Sequence, residues 1–167
     1  MTRPTKAIVI LGHGSRVPEA NASMVQVASL LKEKYGYPIV EVCNMSRLGP
    51  YLEDALKNCI DAGATNITVI PYFLHEGLHM RLDIPKMMQE YALQYPHVRF
   101  VFGKNLGFDE TLVDLVQKRI LESALLSDVR DMMLPDEAQY PIPPGQHEFV
   151  GMTPEDARQW RRRNGNE

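Results

Sequence analysis

Residues 7–16 read Ala-Ile-Val-Ile-Leu-Gly-His-Gly-Ser-Arg, and this stretch decides the fold prediction. Its first part, Ala7–Leu11, is a continuous apolar run with β-branched side chains, which indicates a strand buried on both faces. A polar segment follows at once, with His13 between two glycines that leave room for a ligand near the backbone. A doubly buried strand that ends in a polar loop is typical of a parallel sheet covered by helices.

The rest of the first 126 residues continues the alternation of strands and helices. The further predicted strands are Ile39–Met45, Ile67–Leu74 and Val98–Phe102, and the predicted helices are Ala20–Tyr35, Tyr51–Ala62, Asp83–Tyr95 and Glu110–Leu126. We expect Asp83 to cap its helix, because Pro85 suits a first helical turn. Four such units predict an α/β fold: a parallel four-stranded sheet flanked by helices on both faces, with 2-1-3-4 as the natural strand order.

The chain changes character after residue 126. We predict one domain over residues 1–126 and a Pro-rich, extended C-terminal tail over residues 127–167. A short helix is possible over residues 154–163, where Thr153 precedes an acidic first turn. The helix ends in three consecutive arginines, Arg161–Arg163, which we interpret as a solvated end of the tail.

Composition narrows the class of protein. The chain has 167 residues, 44% of them hydrophobic, and a formal net charge of −3, which predicts a globular protein without general affinity for nucleic acid or membranes. Its apolar runs are too short to span a bilayer, and no signal peptide is recognisable. Cys43 and Cys59 lack the spacing of a zinc site, so we expect a reducing, cytoplasmic location.

Ligands of open parallel sheets bind at the carboxyl ends of the strands. Three of the five histidines, His13, His75 and His79, follow predicted strands at that edge. Imidazole suits cobalt, nickel, iron and zinc, and two imidazoles without a thiolate would hold a metal loosely enough to release it. His13 and His79 are therefore the candidate metal ligands, with His75 as a possible third. The candidate substrate-binding residues at this edge are Ser15, Arg16, Asn44, Ser46, Arg47, Gly77, Arg81 and Lys104.

Two motifs carry a resemblance to a known family. Residues 8–16, Ile-Val-Ile-Leu-Gly-His-Gly-Ser-Arg, and residues 69–85, which contain Pro-Tyr-Phe-Leu-His-Glu-Gly-Leu-His and then Asp-Ile-Pro, resemble the short-form sirohydrochlorin cobaltochelatases, CbiX-like class II chelatases. The resemblance covers residues 6–123. It departs from the family pattern after the second strand, where Ser46 stands at the position of an acidic residue and Asn44 at that of an aromatic one. His75 or Glu76 are candidates to replace the acid.

The resemblance implies a fold, an activity and a set of ligands. It implies one half-unit of a chelatase, working as a homodimer, in which His13 and His79 bind an incoming metal below a tetrapyrrole. The reaction would be ATP-independent insertion of a divalent metal, Co²⁺ first, into sirohydrochlorin for cobalamin synthesis. The metal is then a substrate, and no organic cofactor is expected. Either imidazole can accept a pyrrole proton, and Arg16, Arg47, Arg81 and Lys104 suit the ring carboxylates.

Three alternatives remain open at this point. Iron or nickel could be the inserted metal, because imidazole discriminates weakly among them. The protein could instead carry a metal or tetrapyrrole without catalysis, a reading that the serine at position 46 and the appended tail favour slightly. Phosphoryl transfer through His13 is the least favoured, because it leaves the motif around His79 unexplained.

Overall fold

The computed structural model describes residues 4–147 and 153–163, and its centre is a parallel four-stranded sheet. The strands are β1 (Lys6–Gly12), β2 (Ile39–Asn44), β3 (Asn66–Pro71) and β4 (Arg99–Phe102). Their order is β2-β1-β3-β4, which confirms both the predicted fold class and the predicted strand order. The first strand is therefore central, and its carboxyl end lies between those of β2 and β3.

Helices connect the strands and continue beyond the sheet. They are α1 (Ala22–Tyr35), α2 (Leu52–Asp61), α3 (Ile84–Gln94), α4 (Glu110–Ser123) and α5 (Pro154–Arg163). Helix α1 ends where Gly36 adopts the left-handed conformation that favours glycine, with φ of 68°. Between α4 and residue 147 the chain forms two short 3₁₀ helices, Val129–Asp131 and Glu137–Gln139. Within the described residues, no helix is both long and apolar enough to cross a membrane.

The core lies on the two faces of the sheet and follows the alternation of side chains along β1. Ala7, Val9 and Leu11 point to one face, where they pack in a cluster with side chains of α2 and α3. Ile8 and Ile10 point to the other face, where they pack against α1. The continuous apolar run of β1 is thus explained by burial from both sides.

The second face is covered over only part of its width. Helix α1 shields β1 and β2, but a groove of ≈ 520 Å³ remains beside it, lined by apolar side chains that include Ile10, Ile70 and Tyr72. Helix α4 does not fill this groove, and none of its residues is buried. Val116 and Ile120 on α4 are 56% and 58% exposed. One chain therefore leaves both an apolar helix face and an apolar sheet face uncovered.

Several predicted bounds were wrong: α1 begins at Ala22 rather than Ala20, and α4 ends at Ser123 rather than Leu126. Two further differences lie next to the carboxyl edge of the sheet. Strand β3 ends at Pro71, three residues before the predicted end at Leu74. Asp83 does not cap α3: its backbone is helical, with φ of −69° and ψ of −48°, and it makes no capping bond. A turn of π-helix, His79–Asp83, precedes α3, so the helical path begins earlier than Pro85 suggested. Because Pro85 has no N–H to donate back into that turn, the wider turn is tolerated at this point.

Candidate functional site

The loop after β1 presents His13 at the centre of the sheet edge, and the loop after β2 holds it there. Gly14 has φ of +101°, and a Cβ on it would lie 1.9 Å from the carbonyl oxygen of Ser46. Only glycine allows the two loops to approach this closely. The backbone N–H and the hydroxyl of Ser46 then both donate to the carbonyl oxygen of His13, at 3.2 and 3.1 Å. The exposed imidazole therefore stands on a fixed backbone.

His79 lies in the π turn after β3, one turn before Asp83. Its Nδ1 is 2.6 Å from Oδ2 of Asp83, and the two side chains are 66% and 62% exposed. An ion pair this exposed adds little to the stability of the fold. Its effect is on orientation: when Nδ1–H donates to the carboxylate, the lone pair of Nε2 is left for a ligand. π turns of this kind are frequent at functional sites.

The two histidines line one cleft at the carboxyl edge of the sheet. A hollow of ≈ 450 Å³ between the loop after β2 and the start of α3 includes His13, His79 and Asp83 in its wall. A second hollow of ≈ 440 Å³ shares His13, Met45 and His79 with the first, and it adds His75 on its wall. The sheet order thus brings all three predicted histidines to one cleft. Phe73 packs edge-on against the ring of His13, with the centroids 6.3 Å apart.

The cleft does not contain a complete metal cage. Among residues 4–147 and 153–163, no group of three or more His, Cys, Asp or Glu side chains is arranged to hold a metal ion. His75 shares the cleft without completing such a group with His13 and His79. The cysteines do not add to this donor set, because burial raises the pKa of both thiols, Cys43 and Cys59, to about 12. Thiolate ligation by these residues is therefore disfavoured at neutral pH.

Two carboxylates of the cleft wall were not predicted to act there. Glu53, in the first turn of α2, lines the same hollow as His13 and His79, and Asp83 does so beside its imidazole partner. The sequence held a signal for both. Helix α2 begins at the same edge where β2 ends, so its first turn must border the site, and Asp83 lies four residues after His79, the spacing of one helical turn.

The predicted cationic residues fall into two groups. Arg16 and Arg47 lie beside the loops after β1 and β2, where both donate to the C-terminal segment of the chain. Arg81 and Lys104 border a separate hollow of ≈ 510 Å³ near the end of β4. The guanidinium of Arg81 donates to Glu76 at 3.2 Å, so this arginine already has a carboxylate partner. The structure therefore does not bring the four cations to a single surface.

The other predicted substrate-binding residues have local roles in this structure. Asn44 is only 2% exposed, and its amide nitrogen donates to the carbonyl oxygen of Leu48 at 2.7 Å, so it braces the loop after β2. Its Oδ1 is buried without a partner. The hydroxyl of Ser15 accepts from the backbone N–H of Val17, which turns the chain toward α1. Gly77 borders the cleft, and a Cβ placed on it would have no atom within 4 Å.

The chain resembles characterised proteins over the residues that build this cleft. Residues 7–123 match the sequence profile of the CbiX family. The chain is 36% identical over 113 residues to a protein of Arabidopsis thaliana named sirohydrochlorin ferrochelatase, chloroplastic, a match that covers 68% of this chain and 50% of that protein. It is 32% identical over 139 residues to the sirohydrochlorin cobaltochelatase of Methanococcus maripaludis, with 68% and 96% covered.

A solved structure agrees with the sequence relatives. The sirohydrochlorin chelatase SirB from Bacillus subtilis subspecies spizizenii, in complex with cobalt, superimposes with a TM-score of 0.65 at 32% identity. The superposition covers 71% of this chain and 50% of SirB. The chain thus spans about half the length of the Arabidopsis protein and of SirB, and nearly all of the archaeal protein. Profile, sequence relatives and fold agree with the two motifs at His13 and His79: this chain belongs to the CbiX family.

Proposed function

We propose that this protein is a class II, ATP-independent chelatase that inserts a divalent metal into sirohydrochlorin. The observation that carries the proposal is the cleft at the carboxyl edge of the sheet, whose wall includes His13 from the loop after β1 and His79 from the turn after β3. The names of the relatives support the ring and the reaction, since proteins named sirohydrochlorin chelatases match over these residues. The metal is the substrate of the reaction, delivered to the ring by the two imidazoles.

Cobalt is the metal that we propose first. The Methanococcus cobaltochelatase matches over 96% of its length, whereas the match to the Arabidopsis ferrochelatase covers half of that protein. The donor set does not separate the two, because imidazole discriminates only weakly among Co²⁺, Fe²⁺ and Ni²⁺. Insertion of iron, for sirohaem, is therefore the alternative within the same reaction class, and insertion of nickel is a third.

The side chains of the cleft suggest how the metal is held and released. His79 would bind through Nε2, with Asp83 fixing the ring by its contact to Nδ1. His13 would be the second ligand. His75 lines the adjoining hollow and is proposed only as an auxiliary ligand, since within the described residues it does not form a three-residue ligand group with the other two histidines. A metal held by two imidazoles keeps waters on its open positions, and the pyrrole nitrogens of the ring can replace those waters.

Insertion also requires a group that accepts the two pyrrole protons. A metal-free imidazole can take one of them as the metal leaves. We propose Glu53 as a further acceptor, since its carboxylate borders the same hollow and makes no hydrogen bond or ion pair within the described part of the chain. Glu53 would thus supply the carboxylate that position 46 lacks. Ser46 uses its hydroxyl to hold the backbone of His13.

The negatively charged rim of the ring requires cations next to the cleft. Arg16 and Arg47 lie on the two loops that flank His13, and guanidinium binds carboxylates with two parallel hydrogen bonds. We propose these two arginines as the contacts to the ring carboxylates. Arg81 and Lys104 border the hollow on the far side of the cleft and would contact carboxylates of a second pyrrole unit.

A homodimer would complete the fold and double the cleft. Helix α4 exposes an apolar face with Val113, Val116 and Ile120, and the sheet exposes an apolar groove of ≈ 520 Å³. Two copies could cover both surfaces by packing α4 of each on the other. The SirB chain is about twice as long as the part that matches, which fits two units of this kind. We therefore propose a symmetric dimer.

A carrier of the metal or of the ring, without catalysis, is the second candidate function. The serine at position 46 favours it, because the loop after β2 contributes a hydroxyl where a carboxylate was expected. Anaerobic incubation of the protein with sirohydrochlorin and Co²⁺, Fe²⁺ or Ni²⁺, followed by visible absorbance, separates the two functions. A chelatase inserts one metal well above the spontaneous rate. A carrier binds the metal and leaves the spontaneous rate unchanged for all three.

A further inference from the structure

The C-terminal segment returns to the site and binds the two arginines beside His13. We call residues 137–147 the strap. The guanidinium of Arg16 donates to the carbonyl oxygen of Tyr140 at 3.0 Å, and the carboxylate of Glu137 lies 3.9 Å from the same guanidinium. The guanidinium of Arg47 donates to the carbonyl oxygen of His147 at 3.1 Å. The amide of Gln146 closes the contact by donating to the carbonyl oxygen of Arg47 at 3.1 Å.

The local sequence favours this extended, ligand-like course. Pro141, Pro143 and Pro144 restrict the backbone and cannot continue a helix. A restricted chain loses less conformational freedom on docking than a flexible one. Between Pro143 and His147 the chain turns, with Gly145 at φ of +78° and Gln146 N–H bound to the carbonyl oxygen of Pro143. The turn directs Gln146 and the carbonyl oxygen of His147 toward Arg47.

The groups that the strap offers are those that a carboxylated ring would offer. Two carbonyl oxygens and one carboxylate meet the guanidinium groups of Arg16 and Arg47. Guanidinium has only donors, so an oxygen-rich partner satisfies it whether that partner is a peptide or a substrate carboxylate. Neither arginine can donate the same N–H groups to the strap and to the ring at the same time. The ion pair to Glu137, whose side chain is 86% exposed, is weak, and each part-buried hydrogen bond contributes only modestly, so a charged ligand can displace these contacts.

We propose that the strap is a built-in competitor for the carboxylate-binding arginines, so that it must leave Arg16 and Arg47 before a tetrapyrrole binds fully. The proposal rests on the proposed function, because it takes the carboxylated ring as the ligand. It adds a regulation of that site by a segment that lies beyond residues 7–123, the part of the chain that matches the family profile. The strap thereby lowers the affinity for the ring.

The test compares two double variants of the full-length chain. Glu137→Ala/Gln146→Ala removes the side-chain contacts of the strap and leaves both arginines intact. Glu155→Ala/Gln159→Ala is the matched control, with the same two residue types changed on α5, where neither makes a hydrogen bond or ion pair within the described residues. Affinity for metal-free sirohydrochlorin is measured by its fluorescence, and backbone hydrogen exchange over residues 137–147 is followed with and without the ring.

We expect the strap variant to bind sirohydrochlorin about three- to tenfold more tightly than the native protein, which corresponds to the loss of one exposed ion pair and one part-buried hydrogen bond. The control should bind like the native protein, and the ring should speed exchange in the strap. If the strap variant binds the ring equally or more weakly and still inserts the metal, the proposal that the strap competes with the ring is refuted, and the proposed chelatase function stands. If none of the three proteins binds the ring or inserts a metal, both the proposed function and the proposed role of the strap are refuted.

Discussion

At the scale of single residues, the pair formed by His79 and Asp83 shows where the sequence sufficed and where it did not. Both residues could be singled out from the motif, and His79 could be predicted to lie at the carboxyl edge of the sheet, where it lines the cleft. The role of Asp83 could not, because Pro85 is an equally good signal for a helix start, and that signal suggested a cap. In the structure the carboxylate of Asp83 contacts Nδ1 of His79 instead. Spacing allowed both contacts, and only the path of the helix decided between them.

The contact between Asp83 and His79 predicts a positioning role that is open to mutation. In Asp83→Ala, the imidazole loses the partner that fixes its tautomer and ring angle, so we expect the affinity for Co²⁺ to fall by about 10- to 100-fold. Isothermal titration with Co²⁺ measures this. Glu90→Ala on the exposed side of α3 is the control and should bind like the native protein. Unchanged affinity in Asp83→Ala would refute the positioning role.

The carboxylate of Glu53 predicts a separate effect on the rate. Glu53→Gln keeps the size of the side chain and removes its ability to accept a proton, so we expect insertion to slow by about 100-fold. Affinity for Co²⁺ should stay the same, because Glu53 is not proposed as a metal ligand. Single-turnover insertion measures the rate, and Glu90→Gln is the control. A native rate in Glu53→Gln would assign the proton transfer to another group.

At the scale of elements, the sequence was most informative about strands and least informative about their ends. The apolar run Ala7–Leu11 predicted the central strand within one residue at each end, since burial on both faces leaves little freedom. The end of β3 was wrong because Tyr72, Phe73 and Leu74 continue the apolar run. Apolar residues after Pro71 serve the wall of the cleft rather than the sheet. A one-dimensional pattern does not distinguish these two uses.

The approach of the loops after β1 and β2 makes a prediction about Gly14. Gly14→Ala forces a Cβ against the Ser46 carbonyl oxygen in addition to an unfavourable φ, so we expect a loss of about 3 kcal/mol in the free energy of unfolding. Gly63→Ala is the matched control, because Gly63 also has a positive φ, +85°, but has open space around it. That control should lose about 1 kcal/mol. Urea unfolding gives both values, and equal losses would mean that the loops move apart freely.

At the scale of the whole molecule, α4 marks the limit of what periodicity can predict. The sequence predicted an amphipathic helix over Glu110–Leu126, and the structure has that helix over Glu110–Ser123, three residues shorter. The predicted fold also required helices to cover both faces of the sheet. In the structure α4 buries none of its residues on its own sheet. Periodicity identifies the apolar side of a helix, but it does not identify the chain on which that side packs. The sequence of one chain does not show whether the apolar side of α4 packs on its own sheet or on a second copy.

The proposed dimer predicts the effect of a charge on α4. Ile120→Asp introduces a carboxylate into the face that we expect to be buried between copies, so the protein should become monomeric at micromolar concentration. Leu93→Asp changes another exposed leucine, 83% exposed on α3, and should leave the assembly unaltered. Sedimentation equilibrium distinguishes the two states. A native protein that is already monomeric, or a dimer that survives Ile120→Asp, would exclude association through α4.

The most direct test of the account is anaerobic insertion of Co²⁺ into sirohydrochlorin by the native protein and by His13→Ala, His79→Ala and His97→Ala. His97 precedes β4, away from the carboxyl edge of the sheet, and serves as the control. The account predicts that the native protein and His97→Ala insert the metal well above the spontaneous rate, and that His13→Ala and His79→Ala do not. Insertion at the native rate by both His13→Ala and His79→Ala would contradict it.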